Sequence, residues 1–117
     1  MFSTSINFDL SVFELFVPLA VGASVVVVRD AVSLVSDPVD VSLVNTVPSV
    51  MSRLVELGGV PESVRTVDLA GEPLSRDLVE RIFATTGVRE VRNLFGPSET
   101  TTYSTYVVMR REQGFVS

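Results

Sequence analysis

Short β-branched runs alternate with segments of helical apolar spacing along this chain, and Gly or Pro separates them. That alternation constrains the fold more than any other feature, because strands that take turns with helices pair in parallel through crossover connections. Residues 23–28 form a continuous β-branched run of the kind buried on both faces of a sheet. Residues 41–47, 64–70 and 88–94 read as three further strands, and 101–109, rich in Thr, Tyr and Val, as a fifth. Between them lie three helical patterns. The first starts from a cap at Asp9 or Ser11 and runs to about Ala20, with Gly22 ending it. The second has Pro48 at its first position, Met51, Leu54 and Val55 on one face, and Gly58-Gly59 as its stop. The third is capped by Ser75, carries Leu78, Val79, Ile82 and Phe83, and closes at Gly87. Residues 29–40 fit neither period, with Asp37-Pro38 marking a turn. The expectation is a single α/β unit over 1–117: a mainly parallel sheet with flanking helices, long enough to bury one core.

Composition narrows the chemistry. The chain has 117 residues with no Cys, His, Trp or Lys, so all nine basic residues are Arg. Zinc fingers, disulfide frameworks, Cys nucleophiles, His bases and Lys Schiff bases are excluded. Fourteen acidic residues give a net charge of −5, which argues against a nucleic-acid partner. The apolar stretch 13–28 contains Glu14 and Pro18 and falls short of the roughly 20 residues of a spanning helix. With no cationic signal-peptide start, a cytoplasmic location without membrane attachment is the expectation. Arg110-Arg111-Glu112 reads as a solvated end, and the helix 13–20 as core.

Ligands of parallel sheets bind beyond the carboxyl ends of the strands. Three such ends carry small or polar residues here: Asn45, Ala70-Gly71-Glu72, and the run from Asn93 to Glu99. An Asn amide matches the hydrogen-bonding edge of adenine and an aromatic ring stacks on a base. Gly96 permits close backbone approach, Ser98 suits a phosphate contact and Glu99 offers carboxylate oxygen to Mg²⁺.

The run Asn93-Leu94-Phe95-Gly96-Pro97-Ser98-Glu99 resembles the N-x-[YF]-G-P-[ST]-E motif of the adenylate-forming superfamily. Phe8-Asp9-Leu10-Ser11-Val12-Phe13-Glu14 is similar to the F-D-x-S-[VF]-x-E segment of its amino-acid-activating branch, which serves nonribosomal peptide synthetases. Leu69-Ala70-Gly71-Glu72-Pro73-Leu74 is similar to the strand end of the same family that faces the nucleotide. The three motifs stand in the family's order, and the resemblance covers nearly the whole chain. The resemblance implies a flavodoxin-like subdomain that helps form aminoacyl-AMP from ATP and an amino acid, for loading onto a carrier protein with a phosphopantetheine arm.

Position by position, the resemblance implies nucleotide contacts from Gly71, Glu72, Asn93, Phe95, Gly96 and Ser98, and a Mg²⁺ ligand in Glu99. Tyr is commoner in the family where Phe95 stands; stacking survives the change and the phenol hydroxyl is lost. The implied amino-acid pocket comprises Asp9, Leu10, Phe13, Asn45, Asp68, Ala70, Leu94, Thr102 and Tyr103. Asp9 would pair with the substrate's α-ammonium, since a buried ammonium needs a compensating anion; the other reading of Asp9 is the cap of the following helix. Bulky Phe13 and Tyr103 imply a small aliphatic substrate such as alanine. Asp68 either turns to solvent or points inward, and an inward carboxylate would admit a polar or basic side chain.

The family's phosphate loop is expected upstream of Asp9, and its ribose-binding Asp and catalytic Lys downstream of Ser117. The chain is therefore expected to be part of a domain, without a catalytic residue of its own, to be inactive alone, and to need the remaining adenylation segments and the carrier protein as partners. Two other readings compete: a piece of an acyl- or aryl-CoA ligase, whose substrate would leave Asp9 without a role, and a non-catalytic α/β interaction module.

Overall fold

The computed structural model describes residues 1–3, 10–95 and 105–115. Helix α1 spans Leu10–Ala20. A 3₁₀ turn over Ala31–Val35 follows, capped by Asp30, whose Oδ1 accepts the Ser33 N–H at 2.8 Å. Then come β1 (Leu43–Thr46), α2 (Pro48–Glu56), β2 (Thr66–Ala70), α3 (Arg76–Thr85), β3 (Glu90–Phe95) and β4 (Thr105–Arg110).

The four strands lie in the order β1-β2-β3-β4. β1, β2 and β3 are parallel, joined by α2 and α3 as crossovers, and β4 returns antiparallel along β3. One face of the sheet carries the row Val44, Val67, Val91 and Met109, with Leu69 beside it. These residues form the core with Met51 and Leu54 of α2 and Leu78, Val79, Ile82 and Phe83 of α3. The helical spacing read from the sequence thus aims both helices at the same sheet face. Arg81 of α3 ties the pair by donating from Nη2 to Ser52 Oγ at 2.9 Å. The Ser75 cap is present, its hydroxyl accepting the Leu78 N–H at 3.3 Å.

Three expectations need correction. Residues 23–28 do not form a strand buried on both faces. Only Val27 bridges, to Phe2, with the Phe2 N–H on the Val26 carbonyl at 2.7 Å and the Val28 N–H on the Phe2 carbonyl at 3.0 Å. Val27 is 71% exposed. β-Branched composition supplies propensity, but a strand also needs a ladder to pair with, and among the described residues one bridge is all it finds. Second, α1 is not core within this chain: Val12, Phe16, Val17 and Leu19 are exposed, while Glu14 is buried and accepts the Ser3 N–H at 3.1 Å. Third, Arg111 is exposed, as a solvated end would be, but it is not free. Its guanidinium donates to the carbonyls of Phe83, of Thr86 at 2.6 Å and of Val88 at 2.6 Å, at and just beyond the C-terminus of α3. The last strand starts at Thr105; residues 101–104 of the expected span lie outside those described.

Candidate functional site

Strand alternation sorts the site residues onto two faces. In the sheet register Asn45, Asp68, Arg92 and Val108 form one row, and Ala70, Leu94 and Tyr106 the next row on that face. Asn93 and Phe95, being one residue out of step, fall on the other. Four expected amino-acid-pocket residues, Asn45, Asp68, Ala70 and Leu94, therefore share a face, and the two expected adenine contacts do not.

Each group borders a depression. The first, about 500 Å³, lies beyond the carboxyl ends of β2 and β3 and is lined by Gly71, Glu72, Asn93, Leu94 and Phe95 together with Pro73 and Leu74. The second, about 410 Å³, lies over the sheet face and is lined by Phe13, Asp68, Leu94, Glu90, Arg92 and Tyr106, with Val108 and Arg110. Leu94 lines both, so the two depressions adjoin at this residue.

The loop after β2 is shaped by Gly71, whose φ of +84° lies in the left-handed region that residues with a Cβ avoid. Glu72 then turns to α2. Its carboxylate accepts the Ser49 N–H and the Ser49 hydroxyl, each at 2.8 Å. α2 receives no side-chain cap from its own N-cap residue, Val47, so Glu72 supplies one from the next loop. Glu72 borders the first depression but is held by α2.

Asp68 points into the second depression and is 1% exposed. Arg92 Nη1 lies 3.7 Å from Asp68 Oδ1, too far for a hydrogen bond, and that oxygen accepts none from the described residues. Burial pushes the Asp68 carboxyl up to about 6; Arg92 pulls it back and Glu90 adds to the rise. Arg92 in turn donates from Nε to Glu90 Oε1 at 2.6 Å, and Arg110 Nε lies 3.7 Å from Glu90 Oε2. The inward alternative for Asp68 is the one realised.

Phe13 sits half-buried over the same depression, and Asn45 is fully buried at the end of β1. Leu10 opens α1. Asp9, Gly96, Ser98, Glu99, Thr102 and Tyr103 lie outside the described residues. Among the described residues no group of three or more acidic side chains is placed to hold a metal ion, and no helix is long and apolar enough to cross a membrane. Sequence reading missed Arg92, Glu90 and Tyr106. Alternation along β3 was the available signal, since Arg92 is two residues before Leu94 and shares its face. The pairing of Ser49 with Glu72 had none, being a contact between the first turn of α2 and the loop after β2.

A mainly parallel sheet with two depressions at its carboxyl edge is the arrangement of the adenylate-forming fold. The adenylation domain AlmE of Vibrio cholerae, solved in complex with glycyl-adenosine-5′-phosphate, superposes with a TM-score of 0.79 at 27% identity, over 97% of this chain and 23% of that one. Residues 1–116 match the AMP-binding enzyme family. The chain is 52% identical over 107 residues to a linear gramicidin synthase of Brevibacillus parabrevis, and 50% identical over 105 residues to the AMB antimetabolite synthetase AmbB of Pseudomonas aeruginosa. Those alignments cover 90% and 88% of this chain but only 2% and 8% of the two synthetases. The chain belongs to the AMP-binding enzyme family, in the branch formed by nonribosomal peptide synthetase adenylation domains.

Proposed function

We propose that this segment carries the amino-acid pocket and the adenine side of the nucleotide site of an enzyme that joins an amino acid to AMP for loading onto a carrier protein. The observation that carries the reading is the meeting of the two depressions at Leu94. A substrate on the Asp68 face and a nucleotide on the Phe95 side would approach each other there. A carboxylate oxygen of the amino acid would attack the α-phosphorus of ATP, forming the acyl phosphate bond as pyrophosphate leaves.

On the nucleotide side, Asn93 and Phe95 offer an amide and an exposed ring to adenine, and Gly71 lets backbone come close. Gly96, Ser98 and Glu99 follow directly in the chain; the motif assigns Ser98 to the α-phosphate and Glu99 to Mg²⁺. On the amino-acid side, Phe13 and Leu94 are apolar walls, and Asp9, at the threshold of α1, is the counter-ion for the α-ammonium. The bulk of Phe13 and of Tyr103 supports a small aliphatic amino acid, alanine in particular. Phosphate-binding and lysine chemistry would come from other segments of the parent enzyme, so the isolated chain is expected to adenylate nothing. A carrier domain with a phosphopantetheine arm would receive the product.

Amino-acid-dependent ATP–pyrophosphate exchange tests this, with the segment placed in a complete adenylation domain and twenty amino acids screened beside Asp9→Ala. Exchange with a small amino acid, lost in Asp9→Ala, is the expected result. A folded domain that exchanges with no amino acid, or only with carboxylic acids lacking an amine, would overturn it.

A further inference from the structure

Among the described residues the Asp68 carboxylate is the one acidic group buried in the floor of the amino-acid depression, and left alone it would recruit a cationic side chain there. It is not alone. Arg92, its register partner on β3, places Nη1 3.7 Å from Oδ1. Arg92 is itself anchored, since its Nε bonds Glu90 Oε1 at 2.6 Å, and Glu90 is balanced by Arg110 at 3.7 Å. The charges alternate across the face from Asp68 through Arg92 and Glu90 to Arg110, and they sum to zero. These three are the charged groups that line the depression beside Asp68; β1 contributes only the neutral Asn45 to that row. The spacing of the Asp68–Arg92 pair is electrostatic contact without a hydrogen bond, so Arg92 acts on the charge of Asp68 more than on its position.

We propose that Arg92 is a specificity-determining positioning residue: paired with Asp68, it makes the floor of the amino-acid depression electrically neutral and thereby excludes substrates whose side chain carries an amine. This rests on the amino-acid-activating reading above. Arg92 touches no reacting atom. Its effect falls on which side chain the floor accepts, so it appears in KM and in selectivity and leaves the maximal rate to the residues around the phosphate.

The test uses a complete adenylation domain that carries this segment, with alanine and 2,3-diaminopropionate as competing substrates in pyrophosphate exchange. The second adds only an amine to the first, so fit to a depression of about 410 Å³ is nearly matched. In Arg92→Met the ratio of kcat/KM for diaminopropionate over alanine should rise about tenfold, through KM. Arg92→Lys should keep the parent ratio, and Arg92→Met combined with Asp68→Asn should restore it, which a merely structural loss would not do. A folded Arg92→Met domain with the parent ratio overturns the proposal, as does a double variant that stays shifted. A second arm reads charge directly: ¹³C NMR titration of the Asp68 carboxyl, assigned by Asp68→Asn, should show its midpoint rise by about one pH unit in Arg92→Met. An unmoved midpoint overturns the proposal whether or not the domain activates an amino acid. A parent domain that activates none, with the midpoint still shifted, strikes the functional reading and leaves the charge pairing standing.

Discussion

Glu72 closes the N-terminus of α2 from outside that helix, accepting both the backbone N–H and the hydroxyl of Ser49 at 2.8 Å. The contact joins the loop that borders the nucleotide-side depression to the helix beneath it. Because one carboxylate serves both bonds, the two residues should behave as a unit. Glu72→Ala loses both bonds and is expected to cost about 1 kcal/mol, as loss of a helix cap does, whereas Ser49→Ala keeps the backbone bond and should cost less. The double variant should cost little more than Glu72→Ala alone, a coupling readable in urea midpoints. Additive losses would mean that the two side chains act separately.

Much of the fold was legible because local chemistry and tertiary demand agree. Pro48, Ser75 and Gly71 mark boundaries by backbone geometry that belongs to each residue alone, and they stand where expected. The run at 23–28 misled because its valines carry propensity without partners: a lone bridge to Phe2 is all that forms among the described residues. The site was legible in identity more than in arrangement. Motif spacing brought Asn93, Phe95 and Gly71 together, but the division of the site into two faces depends on strand register, which pairing across the sheet sets. Arg92 escaped notice for the same reason, since an Arg in a strand reads as a solvated residue until its neighbour across the ladder is known.

Asp68 makes stability depend on pH in an unusual direction. Its carboxyl titrates at about 6 in the fold against an ordinary 3.8, chiefly through burial. Between those values the folded chain holds a proton that the unfolded chain has released. Stability contributed by this group therefore falls as pH rises through that window, and the loss is complete above it. Asp68→Asn removes the titration. Relative to the parent it should gain on the order of 2 kcal/mol by pH 7 and nothing below about pH 4. Denaturation of both proteins across pH 3.5–7.5 checks this; a constant difference would remove Asp68 from the pH response.

Arg111 carries a different load. Its guanidinium reaches the carbonyls of Phe83, Thr86 and Val88 at once, and lies 5.6 Å from the Phe83 ring centroid. A single ammonium cannot reproduce that fork. Arg111→Lys should therefore destabilise by about 1 kcal/mol despite keeping the charge, since it strands at least one carbonyl at the end of α3. Hydrogen exchange at the last turn of α3 should quicken in the same variant. Parental protection there would show that charge alone suffices.

Phe95 separates binding from folding most cleanly. Its ring is 66% exposed at the carboxyl end of β3, beside Gly71 and Asn93. A ring so exposed contributes little to burial, so Phe95→Ala should shift the unfolding midpoint only slightly. If the ring is the adenine platform, the same change removes a stacking partner of about 1–3 kcal/mol. In a complete domain that predicts a rise of about 5- to 100-fold in the KM for ATP, with the KM for the amino acid held. Phe95→Tyr should keep the parental value, because stacking needs the ring and not the hydroxyl. A parental KM for ATP in Phe95→Ala would move adenine away from β3, and an equal rise in both KM values would point to a collapse at Leu94, where the two depressions meet.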